Sequence, residues 1–262
     1  MNGFCPLASG SKGNCIFVGT PTTRILIDAG ISASAIEKRL QEIDVSIDTI
    51  QAVFVTHEHT DHIRGIAQLS KKFNMPVISN GSTAKAMVEI LKMHPHFKVF
   101  TTGESFSFGD LEVHPFTISH DAVDPVAFTI RTGTIKMGFC TDLGYVTSLV
   151  RKTLEGCHTL YLEANHEPSM VHASPRPDIY KQRVLGRQGH LSNEECAQLL
   201  LDVMHDELRH IHLAHLSSEC NSEEVALYRI KTALASKERA IPVTIAYQDR
   251  ISHRIDLFRN LL

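Results

Sequence analysis

Four metal-capable side chains, His57, His59, Asp61 and His62, fall within the segment Thr56-His57-Glu58-His59-Thr60-Asp61-His62. In near-extended backbone His57 and His59 project to the same side, so both can reach one ion. Asp61 and His62 follow on a turn and are placed to reach a second. Imidazole combined with carboxylate suits zinc, manganese or iron rather than calcium or magnesium. A His-x-His-x-Asp-His run after an apolar strand is far more specific than a lone His-x-His.

The elements around the cluster position it. Ile50–Val55 reads as a buried strand, and Ile63–Phe73 as a helix, so the cluster sits at the C-terminal end of a strand. Ligands and catalytic groups of α/β folds collect there, because the sheet holds the loop rigid while the loop faces solvent. Three further candidates occupy equivalent places. His120 ends the strand Leu111–Ser119, Asp142 follows Ile135–Cys140, and His215 follows Arg209–Leu213. His190 stands just before Ser192, which forms a capping box with Glu195 at the head of a helix reaching about Met204. Helix N–H groups there favour an anion.

Near the N-terminus, Ser9-Gly10-Ser11-Lys12-Gly13-Asn14 joins two short strands. Spacing alone favours a plain hairpin turn, although Ser9, Ser11 and Asn14 are also placed to meet an anionic substrate through an N–H-rich turn. It is not a Walker loop, since no Gly-Lys-Ser/Thr opens a helix. Asp28 ends the strand Arg24–Asp28, where it either supports a ligand or caps the turn. A basic segment carries Arg176, Lys181, Arg183 and Arg187, which suits phosphate and equally suits a solvated surface.

The bulk properties set bounds. Apolar residues at 43% and charged residues at 21% over 262 positions describe an ordinary globular protein. A net charge of −3 is no general nucleic-acid footprint, so an anionic substrate must be held locally. Six cysteines without a Cys-x-x-Cys pair read as reduced core residues of a cytoplasmic protein. No signal peptide or membrane-spanning run is expected. Strands mixed with helices, with no linker or repeat, predict one α/β (α+β) domain over 1–262 with two packed sheets and helices outside.

With His57, His59, Asp61, His62, His120, Asp142 and His215 collected, the chain resembles the metallo-β-lactamase-fold hydrolases, in the branch that holds RNase Z and the nucleic-acid-processing nucleases. The opening Leu-Ala-Ser-Gly-Ser-Lys-Gly-Asn-Cys, the Ser-His-Asp-Ala-Val-Asp-Pro run, Leu-Glu-Ala-Asn-His-Glu and Gly-His-Leu-Ser-Asn narrow the resemblance to the YycJ/WalJ family, a bacterial group of 5′→3′ DNA exonucleases. It covers nearly the whole chain. The resemblance implies a four-layer αββα sandwich and a dinuclear centre. His57, His59 and His120 would hold one ion, Asp61, His62 and His215 the other, and Asp142 would bridge them. Glu167 departs from the aspartate that relatives often carry after Asn-His, which leaves the ligand set intact.

Two cations with a bridging water yield hydroxide near neutral pH and take up charge on a phosphoryl group. Asp61 can ligate an ion and also orient that nucleophile. His190 is left to donate a proton or hold a phosphate, and Asn165, His166 and Arg187 are candidates for substrate contact. The expected activity is thus a metal-dependent 5′→3′ DNA exonuclease holding two ions of zinc or manganese, with iron admitted. Rival readings are an RNA-processing nuclease, or a small-molecule hydrolase of this fold, such as a cyclic-nucleotide phosphodiesterase or a lactonase. A flavodiiron redox protein would carry Glu at position 59 and a flavin domain. A non-catalytic scaffold would have lost ligands, and all seven are kept here. The oligomeric state is left open by the sequence.

Overall fold

A computed structural model of the protein describes residues 1–256. Its strands are β1 (Gly3–Ala8), β2 (Cys15–Gly19), β3 (Arg24–Ile27), β4 (Ala52–Phe54), β5 (Val77–Asn80), β6 (Phe97–Phe100), β7 (Phe106–Phe108), β8 (Leu111–Thr117), β9 (Val126–Thr132), β10 (Ile135–Cys140), β11 (Thr159–Glu163), β12 (His210–Ala214), β13 (Val243–Ile245) and β14 (Ile255–Asp256). The chain divides into two compact units. One comprises 1–115, 122–126 and the segment from Ala246 onward; the other comprises 116–121 and 127–245.

In the first unit the sheet order is β14-β1-β2-β3-β4-β5-β6. The pairs from β3 to β6 are parallel, and parallel neighbours require crossover connections, usually helical. The helices Ala33–Gln41, Ile66–Phe73 and Gly81–Leu91 supply them. Ser32 caps the first by accepting from Ala35 N, as its side-chain type favours. Ile36, Leu40, Ile66 and Leu69 fall at helical spacing and are buried with Phe17, Leu26 and Val53 in one core cluster. The β7–β8 hairpin lays Phe106 and Phe108 against Phe54, with ring centroids 5.8 and 5.3 Å away.

In the second unit β13-β12-β11-β10-β9 run in that order. The pairs β10–β11, β11–β12 and β12–β13 are parallel, and β9–β10 is an antiparallel hairpin that turns at Gly133 with φ 55°. The Ser192–Glu195 capping box is present at the head of the helix Asn193–Val203, which buries Cys196, Leu199, Leu200 and Val203. All six cysteines are buried and free.

Several elements differ from the sequence expectation. The helix expected over 63–73 breaks into Thr60–Ile63 and Ile66–Phe73. Gly65 separates them, because its N–H donates to Ala29 O at 2.7 Å and a Cβ there would stand 2.4 Å from Ile31 O. The helices Ser148–Leu154, Pro168–Ala173 and Asp178–Leu185 were not expected. Helices this short draw their stability from tertiary packing and leave little periodicity to read.

Close backbone contacts lock the metal-capable turn. Asn14 N donates to Asp61 O at 2.8 Å, Gly30 N to Asn14 O at 2.7 Å, and Ala29 N to His62 O at 2.8 Å. A Cβ on Gly30 would stand 1.6 Å from Asp61 O and 2.6 Å from Asn14 N. We therefore expect Gly30→Ala to destabilise the protein by about 2 kcal/mol or more, since the clash is with backbone and no rotamer relieves it. Calorimetry should show a Tm lower by at least about 4 °C; an unchanged Tm would mean that the turn tolerates displacement.

Candidate metal centre

In the first unit one buried carboxylate organises the histidines. Asp28 follows β3 and adopts a left-handed backbone, φ 59°, which Asp tolerates better than most residues. Its Oδ1 accepts from Thr56 N at 2.9 Å, and its Oδ2 from Thr56 Oγ1 at 2.9 Å. Oδ2 also lies 2.8 Å from His62 Nδ1. An ionised carboxylate only accepts, so Nδ1 carries the proton of His62 and the lone pair sits on Nε2. The Asn14 amide agrees: its Oδ1 accepts from Gly10 N, which turns Nδ2 toward His62 Nε2 at 3.0 Å.

The same carboxylate reaches His57 indirectly. The Thr56 hydroxyl gives its proton to Asp28, so toward His57 Nδ1, at 3.0 Å, it must accept. His57 Nε2 is left with its lone pair, 3.1 Å from His59 Nδ1. Two nitrogens on one tetrahedral ion, each about 2.0–2.1 Å from it, lie roughly 3.3 Å apart, so this pair is spaced to share one. His62 Nε2 is 3.7 Å from Asp61 Oδ2. His57 and His62 are fully buried. Glu58, between His57 and His59, accepts from Val123 N at 2.8 Å.

In the second unit the organiser is Glu163 at the end of β11. It is fully buried and accepts from Leu143 N at 2.6 Å and Leu191 N at 3.2 Å. Its Oε1 lies 2.8 Å from His190 Nδ1 and 3.1 Å from His215 Nδ1. Burial by itself pushes this carboxyl up, but the charge and hydrogen bonds of His190 and His215 outweigh it and hold Glu163 well below the usual carboxylate range. It therefore fixes protons on both Nδ1 atoms and turns both Nε2 atoms outward. Sequence reasoning missed Glu163. Its signal was its position, a carboxylate at a strand end like Asp28 and Asp142.

Asp142 stands among these groups with φ 57°, and His215 has φ 55°. Asp142 Oδ1 is 3.4 Å from His215 Nε2, 3.9 Å from His120 Nε2 and 3.8 Å from His190 Nδ1. Asp142, Glu163, His190 and His215 offer ligand atoms close enough to hold a metal ion. His120 is buried, which lowers its proton affinity and keeps the imidazole neutral as a ligand must be; its Nδ1 lies 3.2 Å from Gly189 O.

The remaining candidates are distributed as follows. Ser9 and Asn14 are buried and Ser11 is exposed. Asn165 is buried and donates to His215 O at 2.7 Å, so it holds the His215 loop. His166 is buried, and its backbone carbonyl accepts from Asn193 N. Arg187 is exposed. Both donor sets combine neutral imidazole nitrogen with carboxylate oxygen in buried, pre-oriented positions, which fits a borderline divalent ion.

Residues 23–213 match the family model of the beta-lactamase superfamily domain. The chain is 36% identical over 236 residues to the exodeoxyribonuclease YycJ of Bacillus anthracis, covering 89% of each chain. It is 32% identical over 251 residues to the exodeoxyribonuclease WalJ of Streptococcus pneumoniae, covering 93% of this chain and 92% of that one. Among solved structures it is similar to the metallo-beta-lactamase fold protein YhfI from Bacillus subtilis, with a TM-score of 0.69 at 15% identity over 96% of this chain and 99% of that one. The fold is thus the metallo-β-lactamase fold, and with these donor sets it implies divalent metal.

Asp28 yields a specific expectation. In Asp28→Asn the amide oxygen must stay toward Thr56 N, so the NH2 group faces His62 Nδ1 and forces the proton onto Nε2. Loss of such a supporting carboxylate costs about 10- to 100-fold in metal affinity. Titration against a competing chelator measures it, and unaltered affinity would remove Asp28 from the ligand-orienting role.

Proposed function

Since the chain belongs to the β-lactamase superfamily and, within it, to the YycJ/WalJ exodeoxyribonuclease family, we propose that it is a metal-dependent phosphodiesterase that shortens DNA from the 5′ end. The observation that carries this reading is the pair of buried carboxylates, Asp28 and Glu163: each holds a histidine Nδ1 and so turns an Nε2 outward, that of His62 and that of His215. In this reading 1–262 works as one catalytic domain.

His57, His59 and His120 would hold one divalent ion, Asp61, His62 and His215 a second, and Asp142 would serve both. The donor set accepts zinc or manganese, and iron as well. Such ions supply Lewis acidity toward a phosphoryl oxygen and a water that is nucleophilic near neutral pH. Asp142 adds negative charge that offsets the repulsion between two cations. Asp61 orients the attacking water through its carboxylate. His190, backed by Glu163, acts as general acid: the carboxylate holds Nδ1–H and stabilises the imidazolium, so Nε2 can give its proton to the leaving oxygen. Asn14 fixes the Asp61 loop through its backbone N–H and Asn165 braces His215, while their loops, with Ser9, Ser11 and His166, border the substrate. Arg187 meets phosphate. No helix among the described residues is long and apolar enough to cross a membrane. We place the protein in the cytoplasm, where six free cysteines stay reduced.

End-labelled DNA, RNA and cyclic nucleotides, offered in parallel to metal-reconstituted protein, decide the substrate. Stepwise loss of nucleotides from the 5′ end of DNA is expected; turnover of cyclic nucleotides alone would favour the small-molecule rival. Asp142→Ala should lose metal and activity together; retention of both by this variant would make Asp142 a turn residue. His190→Ala should keep its metals and lose roughly 10²-fold or more of its turnover on DNA, with recovery on a nitrophenyl phosphodiester whose leaving group needs no proton. Loss of metal from this variant would make His190 a ligand.

A further inference from the structure

The basic segment of the second unit contains one arginine unlike its neighbours. Arg176 is paired with Glu219, Arg183 with Asp121 at 2.7 Å, and Lys181 donates to His172 O at 2.8 Å. Among the described residues Arg187 has no carboxylate partner. Its guanidinium instead lies over the ring of Tyr145, 4.4 Å from the centroid, and Tyr145 is 40% exposed. An arginine held by an aromatic face keeps its full charge and its donors for a ligand.

Both residues stand on the loops that carry the chemistry. Tyr145 follows Asp142 by three residues, and Arg187 precedes His190 by three, so each Cα lies within about 11 Å of the corresponding site residue. The two loops are fastened together. Gly144 N donates to Ser119 O at 2.8 Å, and Ser119 Oγ donates to Arg187 O at 2.7 Å. A Cβ on Gly144 would stand 2.5 Å from Arg187 O and 2.6 Å from Gly189 N, so only glycine permits this approach. The pair is thus held in place before any substrate arrives, beside His120, Asp142 and His190.

We propose that Tyr145 and Arg187 form a nucleotide platform: the exposed ring stacks on a base of the DNA end, and the guanidinium holds the phosphate next to the one cleaved. This rests on the nuclease reading and adds to it a residue that holds the base. An aromatic face grips any base, because every base presents a π-face, and an exonuclease that works through arbitrary sequence requires such tolerance. Arg187 supplies the local positive charge that a chain of net charge −3 lacks globally.

The test uses the metal-loaded full chain and 5′-labelled single-stranded oligonucleotides, with ordinary nucleotides or abasic sites at the first two positions. Tyr145→Ala should raise KM on ordinary DNA about ten-fold or more with a much smaller change in kcat, and Tyr145→Phe should restore it. On abasic ends wild type and Tyr145→Ala should behave alike, because the contact is already missing. Arg187→Ala should raise KM on both substrates and reduce the salt dependence of binding by about one phosphate, a slope change of roughly 0.7. An equal penalty for Tyr145→Ala on ordinary and abasic ends would make the tyrosine a structural prop and overturn the platform. So would a Tyr145→Ala protein as active as wild type on ordinary DNA, and this result would leave the nuclease reading standing. A wild-type protein inert on DNA but active on cyclic nucleotides would remove both.

Discussion

The site depends on a single kind of contact, a buried carboxylate against a histidine Nδ1. Asp28 makes it to His62 directly and to His57 through Thr56; Glu163 makes it to His190 and His215. An imidazole that is free to choose its tautomer presents a lone pair at either nitrogen. A carboxylate that can only accept removes the choice, and the lone pair appears at Nε2. Such second contacts are worth about 10- to 100-fold in metal affinity or activity. Glu163 is held well below the usual carboxylate range despite burial because it takes four donors, His190 and His215 Nδ1 and two backbone N–H groups. A buried charge that lacked these partners would shift its pKa and neutralise.

Backbone conformation cooperates with these contacts. Asp28, Asp142 and His215 all leave their strands in the left-handed region, at a cost of order 1–3 kcal/mol each when the side chain is not glycine. Each is over-determined by its surroundings: the Thr56 bonds to Asp28, the packing of Gly144 against Arg187 and Gly189, the Asn165 bond to His215 O. The sharp turn lets the side chain return over the end of its own strand. Glycines 30 and 144 permit the neighbouring loops to approach closely enough to hold that turn.

The strand ends were legible from residue type. His57, His59, Asp61, His62, His120, Asp142 and His215 each follow an apolar run, and a polar, ligand-capable residue there stands out. The capping box at Ser192 is a local pattern and was legible for the same reason. Glu163 shares the strand-end position of Asp28 and Asp142 but lies within its strand, and only the three-dimensional approach of His190 and His215 gives that position a role. Asp28 was readable as a turn former or a ligand support; in the structure it accepts from Thr56 in the turn and lies against His62 Nδ1. The short helices around 148–185 escaped notice because their periodicity is carried by one or two buried residues each, such as Val171 and Val184. Arg187 was named with the basic segment, whereas Tyr145 belongs to no motif and lies far from it in sequence.

The central proposal is that this chain's histidines and carboxylates hold a pair of metal ions. Elemental analysis of gently purified protein, repeated after stripping and reconstitution with zinc or manganese, tests it most directly. Seven ligands shared between two ions predict about two per chain. A value of one or none, with no gain on reconstitution, would contradict the dinuclear centre and the chemistry built on it.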